Sequence, residues 1–475
     1  MQILHVSAEC YPAAKAGGLG DVVGALPKYL NKAGHNAAVI IPGYRSKWIV
    51  SQQFAHAYSG LVRIADIYVP FHVNRHVGES LGFRLFIVDV PGLFDREGVY
   101  ADTNGNGYSD ETERYLVFQQ AVLHFIKQLE IKPDVLHCHD HHTGLIPFMV
   151  KHCPEYRELS GIATVFTIHN GEYHGSFSWN RANLLPWYDS DANGLLEWAG
   201  RINPLACGIK TCWALTTVSP GYLMELMQSS NGLEWLLRNE LSKASGIING
   251  IDAEVWDPST DPFLKFRLSD DIADYKEANK QGLSEEFQFR HDLPLITFIG
   301  RLVMEKGADL LPEAIAKFLF EGGLASFVVL GTGEPRLKDA FLRMKEQFVS
   351  YFDTSISYNE KLSHQLYAGS DFLVMPSRVE PCGLNQLYAF RYGTVPVVRS
   401  TGGLADTVKD ITQGGNGLRF DQFSVDALSS SFHRAATLYH DKQLLGGLRE
   451  NIMQLDFSWE TAAGKYINIY QSLID

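Results

Sequence analysis

Residues 2–41 read QILHVSAECYPAAKAGGLGDVVGALPKYLNKAGHNAAVII, and the grammar of this stretch decides the fold. QILHVS at 2–7 is a short apolar run suited to a buried strand. A glycine-rich loop follows, and over 21–33 Val22, Leu26, Tyr29 and Leu30 recur at helical spacing. Pro27 bends such a helix, because its nitrogen has no hydrogen to donate. Gly34 stands where helices end, and AAVII at 37–41 resumes as a strand. Strand, loop, helix and strand in that order make one right-handed crossover between parallel strands.

The same grammar runs through most of the chain. It predicts a helix at 111–130, strand DVLHC at 134–138, a helix at 143–152 and strand ATVFTI at 163–168, then strand ALTTV at 214–218 and a helix at 220–228. It restarts with strand LITFI at 295–299 and a helix at 307–320, then strand SFVVL at 326–330 and a helix at 335–348. A helix at 360–368, strand DFLVM at 371–375, a helix at 383–391 and strand VPVV at 395–398 follow. Between the two series lies 250–292, polar and broken by prolines in GIDAEVWDPSTDP, with a charged helical stretch at 271–282. The predicted fold is therefore α/β: two Rossmann-like doubly wound parallel-sheet domains, 1–250 and 251–457, facing across a cleft at the carboxyl ends of their strands. SWETAAGKYINIYQSLI at 458–474 opens on a capping serine, and 458–475 is expected to be a helix crossing back to the first domain.

Composition narrows the function. At 475 residues the chain exceeds one hydrophobic core, and 45% hydrophobic with 20% charged residues is an ordinary globular balance. The net charge of −13 disfavours nucleic acid and anionic membranes as partners, so an anionic substrate must meet a local cluster of cations. MQILHVSAEC has no leader pattern, and no apolar run of about 18 residues occurs. Six cysteines are scattered without a CxxC pair, which fits reduced thiols. A cytoplasmic multidomain enzyme is expected.

Chemistry concentrates in the loops after strands. Lys15-Ala16-Gly17-Gly18-Leu19-Gly20-Asp21 offers close backbone approach, amide groups at a helix start and one full positive charge. Its spacing is not the GxGxxG of a nicotinamide site, and an ordinary tight turn with an exposed lysine is the alternative. In the second half, Gly300-Arg301-Leu302 and Lys306-Gly307 place two cations after one strand, as a diphosphate requires. Gly331-Thr332-Gly333-Glu334-Pro335, then Pro376 to Leu384 with Glu380 and a helix starting near Cys382, and finally Thr401-Gly402-Gly403-Leu404 repeat the pattern. His137-Cys138-His139-Asp140-His141-His142 suggests metal ligands, but alternate residues of a strand face opposite ways and no HExxH completes a set. Asp140 and His141 read better as hydrogen-bonders to a polar ligand. His169, in Thr167-Ile168-His169-Asn170-Gly171, reads either as a core histidine or as a ligand contact.

Together these segments resemble the bacterial glycogen and plant starch synthases, retaining glucosyltransferases of two-Rossmann GT-B architecture (glycosyltransferase family 5). The resemblance rests on KAGGLGDV at 15–22, HCHD at 137–140, TIHN at 167–170, TTVSPGY at 216–222, GIINGID at 246–252 and GRLVMEKG at 300–307. GTGEP at 331–335, PSRVEPCGLNQLYAFRYG at 376–393, TGGLADTV at 401–408 and FSWETAAGKY at 457–466 extend it over nearly the whole chain. It implies transfer of glucose from ADP-glucose to the non-reducing 4-hydroxyl of an α-1,4-glucan, without metal or cofactor. It assigns Lys15, Gly18, Asp21 and Cys382 to the donor, Arg301 and Lys306 to the diphosphate, and Gly383 and Leu384 to its distal phosphate. Glu380 would hold glucosyl hydroxyls, His169 the sugar, Asp140 and Asn249 the sugar and acceptor side, and Tyr358 the nucleobase. Alternatives are UDP-glucose as donor, a different acceptor, or a catalytically weak glucan-binding protein. The chain departs from the family where HDWH becomes Asp140-His141-His142 and where HNLAYQG becomes His169-Asn170-Gly171-Glu172-Tyr173-His174-Gly175, both on the acceptor side. No oligomeric state is implied.

Overall fold

Short runs rich in Val, Ile and Phe bury both faces only when helices cover them, and most strands here are of that kind. In the computed structural model, which describes residues 1–102 and 105–474, the chain forms two units. One comprises Met1–Val218, Leu223–Gly250 and the segment from Trp459 on; the other comprises Ser219–Tyr222 and Ile251–Ser458.

The first unit holds a nine-stranded sheet. Its strand order is Ala244–Gly246, Ala214–Thr217, Ala163–Ile168, Val135–His139, Gln2–Val6, Asn36–Pro42, Arg84–Asp89, Ile67–His76, Phe54–Ile64. The first seven run parallel. Gln2–Val6 has Asn36–Pro42 on one side and Val135–His139 on the other, so the chain reverses its direction of winding there. Such a switch point opens a crevice at the carboxyl ends of the two flanking strands. The helix after the first strand spans Gly18–Lys32, starting three residues before the periodicity suggested, and buries Val22, Leu26, Tyr29 and Leu30. Helix Trp459–Ile474 buries Trp459, Ala462, Ala463, Tyr466 and Tyr470 in one cluster with those four residues and Ile3.

Three strands lie where the alternation argument does not reach. Phe54–Ile64 and Ile67–His76 form an antiparallel hairpin that pairs through Arg84–Asp89 with the parallel sheet. The hairpin closes through Ala65 and Asp66, with Ala65 at φ 52°. Asn-Gly or Asp-Gly is the usual signal for such a turn, and this sequence carries neither. The helix expected over 143–152 is two pieces, a 3₁₀ turn at His141–Thr143 and an α-helix at Ile146–His152. Pro147 sits in the first turn of the latter, where a missing N–H costs nothing.

The second unit holds a six-stranded parallel sheet in the order Phe352–Ser355, Ser326–Leu330, Leu295–Ile299, Phe372–Met375, Val395–Arg399, Leu418–Phe420. Here the winding reverses between Leu295–Ile299 and Phe372–Met375. The four glycine-bearing loops noted above follow four adjacent strands, so their loops share one rim. No helix among the described residues is long and apolar enough to cross a membrane.

Candidate active site

In the second unit the two strands at the switch point each deliver a functional loop. Leu295–Ile299 runs into Gly300 and Arg301, then into a 3₁₀ turn at Met304–Lys306 closed by Gly307 at φ 67°. A Cβ on Gly307 would lie 2.1 Å from the Pro376 carbonyl oxygen, so only glycine lets this turn approach the neighbouring strand end. Phe372–Met375 runs into Pro376–Pro381, which carries Glu380. The close approach brings Lys306 onto Glu380: Nζ is 2.6 Å from Oε1 and 2.7 Å from Oε2. Ser377 Oγ donates to Oε2 at 2.9 Å, and Glu380 is only 4% exposed. Sequence spacing singled out Lys306 and Glu380; Ser377 it did not.

Arg301 is exposed, and its side chain makes no hydrogen bond or ion pair among the described residues. That leaves a full guanidinium, with its planar set of donors, on the same rim as Lys306. The helix placed near Cys382 begins instead at Asn385. Gly383 and Leu384 therefore precede it, and their N–H groups donate to no other described group. Cys382 is buried, and its carbonyl accepts from the Gln386 amide at 3.1 Å. Tyr358 lies in the loop after the edge strand Phe352–Ser355 and is 85% exposed.

Arg378 keeps the Lys306 turn in place. Its guanidinium makes paired bonds of 2.6 and 2.7 Å to the Asp309 carboxylate, bonds the Met304 carbonyl, and stacks on Phe423. An ammonium cannot reproduce a planar two-point contact. Arg378→Lys is expected to cost about 1–2 kcal/mol of stability by thermal unfolding, with the donor KM rising as the turn loosens.

In the first unit, Lys15, Gly18, Asp21 and Asp140 follow the two strands at the switch point, His169 follows the neighbouring strand Ala163–Ile168, and Asn249 follows the edge strand Ala244–Gly246. Lys15 is exposed and pairs with Asp21 at 2.6 Å, while Gly18 and Asp21 stand in the first turn of the Gly18–Lys32 helix. The amide groups expected to be open to an anion are partly taken, because the N–H groups of Ala16 and Gly17 donate to the Glu9 carboxylate. Asn249 is buried, and its Oδ1 has no hydrogen-bond partner among the described residues.

Asp140 leaves the strand at φ 56°, ψ 179°, a strained backbone region otherwise reserved for glycine. Its Oδ1 accepts from the N–H of His169 at 2.7 Å and of Asn170 at 3.3 Å. Burial nevertheless dominates and pushes its carboxyl up to about 7. His169 is 8% exposed, and burial lowers its imidazole to about 3, so the ring is neutral. It is both a core histidine and a rim residue. Its Nε2 bonds His139 Nδ1 at 2.9 Å, and His139 Nε2 in turn bonds His5 Nδ1 at 3.1 Å.

Two groups bring three metal-ligand side chains within 4.8 Å: His5, His137 and His139, and Glu111, His141 and His142. In the first, His137 is occupied by Tyr470 Oη at 2.7 Å and Thr167 Oγ1 at 2.6 Å, and His139 by its two histidine neighbours. Of the six ring nitrogens of this group, His5 Nε2 alone lacks a partner among the described residues. In the second, His141 Nε2 lies 3.3 Å from Glu111 Oε1, and the His141 and His142 ring centroids are 3.7 Å apart at 36°. The two departures from the family pattern meet here. A Cβ on Gly175 would lie 2.4 Å from His141 Cδ2, and both residues line a cavity of about 120 Å³ with Glu111, Tyr115 and Phe177.

Comparison with known proteins agrees with this layout. Residues 2–239 match the family model described as starch synthase catalytic domain, and 279–451 match glycosyl transferases group 1. The chain is 44% identical over 476 aligned residues to the glycogen synthase of Flavobacterium johnsoniae, covering 100% of this chain and 99% of that one. It is 38% identical to the glycogen synthase of Streptococcus gordonii, with both chains covered fully. Among solved structures, the catalytic domain of starch synthase IV from Arabidopsis thaliana bound to ADP and acarbose matches with a TM-score of 0.87 and 32% identity, covering 100% and 99% of the two chains. Sucrose-phosphate synthase from Thermosynechococcus elongatus, at 16% identity and a TM-score of 0.63, shares the fold. With both halves matched in order and relatives aligned end to end, this chain belongs to the glycogen and starch synthase family of GT-B glucosyltransferases.

Proposed function

We propose that this enzyme is a glycogen synthase that takes glucose from ADP-glucose and adds it to the 4-hydroxyl at the non-reducing end of an α-1,4-glucan, with the α configuration kept. The observation that carries the reading is the rim of the second unit, where Arg301 is exposed and unpaired among the described residues and Lys306 is held against a buried Glu380. In the reaction the C1–oxygen bond to the diphosphate breaks, C1 gains positive character, and the leaving oxygens gain negative charge. Arg301 and Lys306 are fixed cations for those oxygens, and the N–H groups of Gly383 and Leu384 add donors for the distal phosphate. Fixed cations do here what a divalent ion does in many nucleotide-sugar enzymes. Lys15, Gly18 and Asp21 are likewise assigned to the donor.

Glu380 is assigned to the glucosyl hydroxyls and not to attack on C1. Both of its oxygens accept hydrogen bonds, from Lys306 and Ser377, which reduces their nucleophilicity. Retention then follows from attack on the face the diphosphate leaves, with the departing phosphate oxygen taking the proton of the acceptor hydroxyl. His169 and Asp140 bind the sugar, Asn249 the acceptor side, and Tyr358 the nucleobase. ADP as the nucleotide is supported by the ligand held in the plant starch synthase. Cytoplasmic glucan synthesis completes the proposal.

The second reading is a changed acceptor, and it has a specific basis in the contact between His141 and Gly175. Incubation of a maltooligosaccharide ladder with ADP-glucose and, separately, with UDP-glucose tests both. Lengthening by α-1,4-linked glucose, faster from ADP-glucose, is the expected result. A preference for UDP-glucose, a β linkage, or no lengthening of any rung would overturn the assignment.

A further inference from the structure

Glu9 belongs to no motif considered so far, yet it is 2% exposed and lies directly beneath the glycine-rich loop. Its Oε2 accepts the N–H groups of Ala16 at 2.5 Å and Gly17 at 2.8 Å, and its Oε1 accepts the Tyr100 hydroxyl at 2.6 Å. No cation pairs with it among the described residues, so its charge is balanced by hydrogen-bond donors alone. A buried carboxylate without a counter-charge is costly, and it persists only where its donors are worth that cost. We propose that Glu9 is a positioning residue that sets the path of the Lys15 loop for the donor diphosphate.

Three observations connect the carboxylate to Lys15. The loop has two limbs: Cys10 and Ala14 close the first by mutual backbone bonds of 2.8 Å, while the limb holding Lys15 to Gly17 is tied through Glu9. A Cβ on Gly20 would lie 3.2 Å from both Glu9 Oε2 and Lys15 Cγ, so the carboxylate and the lysine stem share the space that a glycine leaves open. Tyr100, the third donor, stacks on His142 with centroids 5.0 Å apart, which joins the loop after Gln2–Val6 to the turn after Val135–His139. Glu9 thus pins one loop and braces it against the other flank of the switch point. A lysine on an untethered glycine loop would spread over many positions, and misplacement by about 1 Å can cost about 10²-fold in rate.

The inference rests on the assignment of Lys15 to the donor, and the test separates the two. Backbone hydrogen exchange at Ala16 and Gly17 is measured in the full-length wild type, Glu9→Gln and Glu9→Ala, without substrate. Exchange should speed up in Glu9→Ala and stay near wild type in Glu9→Gln, whose amide oxygen can still accept both N–H groups. Glucan elongation then gives kcat and donor KM for these proteins, Lys15→Ala and the double variant Glu9→Ala/Lys15→Ala. The expected result is a loss of about 100-fold in kcat/KM for Glu9→Ala, substantial recovery in Glu9→Gln, and a double variant no worse than Lys15→Ala. Multiplying losses in the double variant, or Glu9→Ala kinetics within about twofold of wild type, would overturn the proposal. If Glu9→Ala does not fold, Tyr100→Phe takes its place, with the same non-additivity expected against Lys15→Ala. A wild type that makes no glucan would defeat the functional assignment while leaving the exchange result to decide whether Glu9 holds the loop.

Discussion

Lys306→Ala is expected to lower kcat by about 10²–10³-fold, a loss of about 3–4 kcal/mol of transition-state stabilisation, with a smaller effect on the donor KM. The ammonium lies 2.6 and 2.7 Å from the two Glu380 oxygens, so its removal does two things. It deletes a fixed positive charge, and it leaves the buried carboxylate with Ser377 Oγ as its remaining side-chain donor. That uncompensated negative charge then opposes the departing diphosphate. Charge grows on the diphosphate only as the bond breaks, so the loss falls mainly on kcat. Steady-state rates at saturating glucan check this. Lys306→Ala/Glu380→Gln should recover the part of the loss that comes from the exposed carboxylate charge, but not the part that comes from the missing cation.

The second large effect changes sign between stability and activity. Asp140 is ionised only with difficulty because it is buried, and its carboxyl is pushed up from the usual 3.8 to about 7. Below about pH 4 it is protonated whether the chain is folded or not, and it costs nothing. From about pH 4 to 7 the unfolded chain gives up this proton and the folded chain keeps it, so stability falls as pH rises. Above about pH 7 the folded form also ionises and the penalty levels off, at as much as about 4 kcal/mol. Asp140→Asn has no charge to lose, and its side-chain oxygen can still accept from the N–H of His169. The variant should match wild type in thermal unfolding near pH 4 and melt higher at pH 8. Its glucan synthesis should nevertheless drop by about 10–100-fold, the worth of a hydrogen bond to a charged group. A variant that melted no higher than wild type at pH 8 would show that Asp140 is not penalised by burial.

The repeating strand, loop and helix pattern was legible because fully buried parallel strands are continuous apolar runs, as LITFI and SFVVL are. The hairpin Phe54–Ile64 with Ile67–His76 was not, since its residues are largely exposed and its turn lacks a glycine or asparagine. Helix limits moved where backbone geometry intervened: the helix expected from residue 307 starts at Leu311, because Gly307 closes a 3₁₀ turn in a left-handed conformation.

At the site, Arg301, Lys306 and Glu380 stood out because a cation pair and a carboxylate after strand ends have an evident chemical use. Ser377 and Glu9 did not, for they act through bonds to partners whose proximity only the folded chain creates. Glu9 is 91 positions from Tyr100 in sequence. The histidine cluster was the reverse case: its density suggested metal ligands, and the folded chain spends nearly all of the His5, His137 and His139 nitrogens on hydrogen bonds.

In the proposed reaction, side-chain cations rather than a bound divalent ion stabilise the departing diphosphate. The rate of maltooligosaccharide lengthening from ADP-glucose, measured for the wild-type chain in excess chelator and again with added magnesium, tests it most directly. Equal, rapid lengthening is expected in both. Lengthening that stops in chelator and returns with magnesium would contradict it.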